Sequence, residues 1–123
     1  MVSGCQGLRL LVVEDVFLIA ESLSALLREH GCEVVGPVGH LEQALDLARD
    51  ATLDGAILDI NLDGKLCFPI AAMLSQRGVP YFFVTGYSED IVPAKYRSIP
   101  RLEKPFEEAD LEQMLLREFS HAA

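Results

Sequence analysis

The stretch LRLLVVEDVFLIAESLSALLREHG, from Leu8 to Gly31, sets the pattern that the rest of the chain repeats. Leu8 to Val13 is an aliphatic run that stops abruptly at Glu14 and Asp15, as expected of a strand buried on both faces with acids at its carboxyl end. From Val16 to His30 the period changes. Val16, Ile19, Ala20, Leu23, Leu26 and Leu27 recur at helical spacing, and Gly31 supplies a left-handed stop. A strand leads directly into a helix.

The alternation continues outward. Cys32 to Pro37 is a second β-prone run, and His40 to Asp50 carries a helical stripe of Leu41, Ala44, Leu45 and Ala48. Asp54 to Leu58 begins a third strand, which ends in Asp59. Leu66 to Arg77 reads as a third helix, with Pro69 near its first turn and Gly78 just past its end. Tyr81 to Val84 is an aromatic and branched strand ending in Thr85 and Gly86. Pro93 interrupts Ser88 to Arg97, so a fourth helix there is short or frayed, and this segment is expected to be the most mobile surface. Ile99 to Glu103 is a fifth strand. Pro105 then opens a last helix with Leu111, Met114, Leu115 and Phe119 on one side and Glu107, Glu108 and Asp110 at its positive end. Five such units predict an α/β fold, a parallel sheet wrapped on both faces by helices through right-handed crossovers.

A chain of 123 residues and 13.5 kDa is one domain's worth. Hydrophobic residues make up 50% of it, which rules out wholesale disorder. Ten basic against nineteen acidic residues leave a net charge of −9 with no basic cluster, which excludes autonomous binding to nucleic acid or an anionic membrane surface. No apolar run approaches the ~18 residues of a membrane span, and Met1 to Gly7 lacks the features of a secretory signal, so a cytoplasmic location is expected. Cys5, Cys32 and Cys67 are odd in number and lack metal-ligand spacing; they read as reduced structural thiols.

In an open doubly wound sheet the functional crevice lies outside the carboxyl ends of the strands. Those ends hold Glu14, Asp15, Asp59, Thr85 and Lys104. Three carboxylates within about 5 Å would repel by roughly 3 kcal/mol per pair at an effective dielectric of about 20, which invites a divalent cation. Hard oxygen donors without nearby histidine or cysteine point to Mg²⁺. One nucleophilic carboxylate, a hydroxyl and an ammonium group remain, a set suited to phosphoryl transfer onto an aspartate.

Taken in order, Glu14-Asp15, Asp59 with Asn61 two positions on, Thr85-Gly86 and Lys104-Pro105 resemble the receiver domain of two-component response regulators. The resemblance covers Leu8 to Phe119. It implies a flavodoxin-like (βα)5 sheet with strand order 2-1-3-4-5, flanked by an N-terminal extension at 1–7 and a tail at 120–123. It also implies residue roles: Asp59 as phosphoacceptor, Glu14, Asp15, Asp59 and the Asn61 backbone carbonyl as Mg²⁺ ligands, Thr85 as switch hydroxyl, and Lys104 as phosphate-contacting cation in a cis Lys-Pro turn. The expected partners are a sensor histidine kinase and a downstream protein, with the chain a monomer or a phosphorylation-dependent homodimer. Such a domain catalyses only its own phosphorylation and dephosphorylation, and the short tail favours a stand-alone protein. Phe83-Val84-Thr85-Gly86-Tyr87 further resembles the Phe-Ala-Thr-Gly-x-Tyr motif of stand-alone alphaproteobacterial receivers associated with HWE-type kinases, with Val84 in place of Ala and Tyr87 one position early.

Arg101 stands three positions before Lys104, where many such receivers have an aromatic residue that follows the switch threonine. Tyr87 is a candidate substitute or a packing residue. Phe17, Phe82 and Phe106 are expected in the core or packed against loops, His30 at the favourable end of the first helix dipole, and His40 and His121 without a site role. Two other functions compete: a binding module that works unphosphorylated, and a Mg²⁺-dependent phosphatase or flavin carrier on the same sheet. Glu14-Asp15 stands where a flavin phosphate loop would need Gly, Ser and Thr, which disfavours the flavin.

Overall fold

Three aliphatic or aromatic runs have no polar face to offer water, so they fold as the inner strands of a sheet covered on both sides. The computed structural model describes residues 5–86 and 92–119. In chain order they form β1 (Arg9–Val13), α1 (Phe17–Glu29), β2 (Glu33–Val38), α2 (Leu41–Asp50), β3 (Gly55–Asp59), β4 (Asn61–Leu62), β5 (Lys65–Leu66), α3 (Phe68–Arg77), β6 (Tyr81–Thr85), a 3-10 turn (Ala94–Tyr96), β7 (Arg101–Glu103) and α4 (Glu108–Phe119). The main sheet runs β2-β1-β3-β6-β7, with every neighbouring pair parallel. With the small antiparallel β4–β5 ribbon set aside, this is the expected 2-1-3-4-5 order.

Alternation along each strand divides the core in two. Leu11, Val13, Ala56, Leu58, Tyr81 and Phe83 face α2 and α3, where Ala44, Ala48, Ile70 and Leu74 meet them. Leu10, Val12, Ile57, Phe82, Val84 and Leu102 face α1 and α4, meeting Leu23, Leu27, Leu111, Leu115 and Phe119. The accessible surface of 6511 Å² is what area scaling gives for one domain of this mass, roughly 6,500 Å².

Several expectations need correction. Phe17 is 72% exposed and Val16 is 45% exposed, because α1 starts at Phe17 and turns its first residues to solvent; neither joins the core. Residues 61–66 form the β4–β5 ribbon, turned by Asp63 and Gly64 at positive φ, so α3 begins at Phe68 rather than Leu66. Pro105 does not open the last helix. It follows a cis Lys104–Pro105 peptide, and α4 begins three residues later at Glu108. Pro37 lies within β2 itself, which is tolerable because β2 is an edge strand. Among the described residues, the stretch between β6 and β7 holds one helical turn, the 3-10 turn at Ala94–Tyr96. The expectation of a mobile segment from Ser88 to Arg97 falls partly on residues outside those described; within the remainder, Val92 and Tyr96 are buried. Tyr87, His121 and the 120–123 tail also lie outside the described residues. No described helix is long and apolar enough to cross a membrane.

Candidate functional site

Parallel register brings the strand ends together. Val13 of β1 pairs with Leu58 of β3, so Glu14 and Asp15 emerge beside Asp59, and Asp59 in turn pairs with Val84 of β6, one residue before Thr85. Thr85 pairs with Glu103 of β7, and the Lys104 N–H donates to the Thr85 carbonyl oxygen at 2.9 Å. The loop into α2 closes the near side. A Cβ on Gly39 would stand 3.0 Å from the Asp15 Cα and 3.3 Å from the Glu14 carbonyl oxygen, so the loop's close approach to the acidic pair depends on glycine.

Glu14, Asp15 and Asp59 each place one carboxylate oxygen within 4.8 Å of the others. Glu14 and Asp59 are buried and Asp15 is exposed. Lys104 crosses the carboxyl edge of the sheet to reach them. Its Nζ donates to Glu14 Oε2 at 2.8 Å and Oε1 at 3.0 Å, and lies 3.5 Å from Asp59 Oδ2. The Val16 N–H also donates to Glu14 Oε1, at 3.2 Å. Glu14 is thus held by a cation and an amide, whereas the same cation stands farther from Asp59, whose carboxyl shares a hydrogen bond with Asp15.

The Asp59 carboxyl is correspondingly hard to ionise. Burial, then the Glu14 charge, push its pKa from 3.8 up to about 7; Lys104 opposes them, and a hydrogen bond shared with Asp15 reinforces them. Burial and the Asp59 charge also hold the Cys67 thiol well above its ordinary range. A set of oxygen donors, one exposed to solvent and one unable to ionise cheaply without added positive charge, fits a hard divalent cation that keeps part of its water shell.

Of the residues singled out by sequence, Glu14, Asp15, Asp59 and Lys104 converge, and Thr85 is buried on the adjacent strand end. Asn61 lies two residues beyond Asp59, its side-chain oxygen accepting the Gly64 N–H at 2.7 Å within the β4–β5 turn. His30 stays outside the cluster, its Nε2 3.3 Å from Glu112 Oε1, which joins α1 to α4. The three cysteines are buried free thiols. The Lys104–Glu14 pairing is the feature that sequence reading missed; the only signal for it was the position of both residues at strand ends.

Comparison with known proteins agrees with this fold. The chain is 32% identical over 107 residues to the transcriptional regulatory protein PdtaR of Mycobacterium tuberculosis, an alignment covering 84% of this chain and 52% of that protein. The chain spans about half the length of the curated relatives it matches. Among solved structures, SdrG from Sphingomonas melonis Fr1 is 37% identical with a TM-score of 0.78, covering 92% of this chain and 95% of that one. The PhyR receiver domain of Erythrobacter litoralis is 26% identical with a TM-score of 0.80, covering 96% and 97%. A BeF3-activated conformation of SdrG, from Pseudomonas melonis Fr1, is 38% identical with a TM-score of 0.74, covering 87% and 92%. The profile described as "Response regulator receiver domain" matches residues 10–116, and the chain belongs to that family, the receivers of two-component systems.

Proposed function

We propose that this receiver is a phosphorylation switch in which Asp59 accepts a phosphoryl group from the phosphohistidine of a sensor kinase. An Asp59 oxygen attacks phosphorus as the P–N bond to histidine breaks, and the electron pair returns to the imidazole. A Mg²⁺ ion held by Glu14, Asp15, Asp59 and the Asn61 carbonyl would supply the positive charge that offsets the carboxylates and the incoming oxygens. Lys104 leaves Glu14 to meet one phosphoryl oxygen, and the Thr85 hydroxyl donates to another. The chain catalyses its own phosphorylation and dephosphorylation and no other turnover, and its output is a changed protein-binding surface.

The observation that carries this reading is Asp59 itself: buried, resistant to ionisation, within 4.8 Å of two other carboxylates and 3.5 Å from an ammonium group. The surroundings favour a protein donor. Exposed Leu18, next in sequence to exposed Phe17, borders an apolar groove of about 430 Å³ that reaches Lys104, Pro105 and Phe106, an apolar landing beside the site. The likeness to SdrG and PhyR receivers supports a kinase of the class serving those proteins, of HWE type by the Phe83–Tyr87 motif. The receiver unit is taken to run from 8 to 119, with 1–7 and 120–123 flanking it.

Intact mass after incubation with a small phosphodonor tests this reading. One added phosphoryl group is expected with Mg²⁺, and none without Mg²⁺ or in Asp59→Asn. A native protein that stays unmodified with both a small donor and a phosphorylated kinase domain would instead favour a module that binds partners unphosphorylated.

A further inference from the structure

β7 contributes no aromatic side chain to the α3-facing side of the sheet. Its first residue, Arg101, pairs in register with Phe83, and parallel partners share a face. An aromatic residue from elsewhere fills that side. Tyr96, on the 3-10 turn, is 5% exposed and stacks on Phe68 at 5.4 Å with the rings 10° apart. It also meets the edge of Phe83 at 6.3 Å and 90°, while Phe68 and Phe83 contact each other at 5.8 Å.

The two rings that Tyr96 touches belong to the two halves of the site. Phe83 precedes Thr85 by two residues on the same face of β6. Phe68 opens α3, whose preceding residue Cys67 donates its N–H at 2.8 Å to the carbonyl oxygen of Ile60, next to Asp59. On its outer side Tyr96 borders an open cavity of about 370 Å³ between α3 and the 3-10 turn, with Ser75, Gln76, Lys95 and Ile99 at its edges. Lys95 Nζ lies 5.1 Å from the Tyr96 ring centre.

We propose that Tyr96 is a positioning residue that transmits the state of Asp59 and Thr85 to the surface formed by Ala94–Arg97 and α3. The inference rests on the phosphorylation reading above. When the Thr85 hydroxyl turns to a phosphoryl oxygen, the space around Phe83 changes shape, and a close-packed interior does not leave a void unfilled. Phe83 is fixed in a central strand, whereas Tyr96 sits on a single 3-10 turn. Its hydroxyl donates to the Phe68 carbonyl oxygen over 3.5 Å, at the limit of a hydrogen bond and readily exchanged for water. Tyr96 is therefore the member of the cluster that moves, and it carries Lys95 and Arg97 with it.

The test is amide NMR of the Mg²⁺-loaded protein with beryllofluoride as the phosphoryl mimic. In the native protein, shifts are expected both at Asp59 and Thr85 and at Ala94, Lys95, Tyr96 and Arg97. In Tyr96→Leu the shifts at Asp59 and Thr85 should persist while those at 94–97 fall severalfold. Tyr96→Phe keeps the stack and should keep the response. Should Tyr96→Leu fail to fold, Phe68→Leu removes the same stack from the other side and is read in its place. A full response at 94–97 in Tyr96→Leu or Phe68→Leu overturns the proposal, as does a native protein that shifts at Thr85 but not at 94–97. Absence of any shift at Asp59 in the native protein refutes the phosphorylation reading, and this inference with it.

Discussion

At the scale of single residues, the site is a balance of charges that none of its members would choose alone. Asp59 has a folded-state pKa near 7 against 3.8 for an ordinary aspartate, with burial as the first cause and Glu14 as the second. As pH rises from about 4 to about 7 the unfolded chain releases this proton while the folded protein retains it. Stability of the metal-free protein should therefore fall across that window and level off above it. Asp59→Asn removes the effect, and urea denaturation at pH 7.5 should find it more stable than native by on the order of 2 kcal/mol, with the difference vanishing toward pH 4. An unchanged gap at pH 4 would show that ionisation is not its cause. Lys104 has the opposite role. Lys104→Met leaves Glu14 buried without its cation and should lower metal-free stability by roughly 3–5 kcal/mol while tightening Mg²⁺ binding, measurable by calorimetry.

The residues that cluster at the carboxyl edge were legible because each closes a short apolar run: an abrupt Glu14-Asp15, an aspartate, a Thr-Gly and a Lys-Pro. Phe17 misled because it is a large apolar residue in an apolar helix, and residue type does not say which way the first helical turn faces. The Lys104–Glu14 bond spans 90 positions and depends on the registers of three strand pairs, which no local pattern contains.

At the scale of elements, periodicity located the five main strands and the four helices to within a few residues. It did not show the β4–β5 ribbon, because two-residue strands have too little period to register and Leu62 and Leu66 read equally well as the start of a helix. The short helices also need anchors. The last turn of α4 is held by Phe119, which stacks on Phe82 at 5.3 Å and covers Gly55, where a Cβ would come within 2.7 Å of its ring. Phe119→Ala should cost roughly 3–5 kcal/mol in denaturant unfolding, as expected for a buried aromatic on a packed strand. A loss below about 1 kcal/mol would mean that α4 docks through Leu111 and Leu115 alone.

At the scale of the whole molecule, two cores on opposite faces of one sheet hold all the acids of the site at the carboxyl edge, within a protein of net charge −9. Divalent cations should therefore act on global stability as well as on chemistry. Mg²⁺ at about one hundred times its dissociation constant should add roughly 2.7 kcal/mol to unfolding, seen as a rise in Tm, and should flatten the pH dependence described for Asp59. Sodium chloride at matched ionic strength should not reproduce the rise, because screening acts weakly on buried charges.

The bond between Lys104 and both oxygens of Glu14 also bears on which anions the site admits. Under the phosphorylation proposed above, the lysine already holds a carboxylate fixed in place by the fold, a competitor whose effective concentration is set by geometry rather than by the surrounding solution. A free dianion such as inorganic phosphate or sulfate must displace that tethered rival by non-covalent affinity alone, whereas a group delivered covalently to Asp59 is tethered too and competes on equal terms. The unphosphorylated site is in this sense self-ligated, and on the proposed reading it should disfavour the abundant free anions of its surroundings without needing a lid.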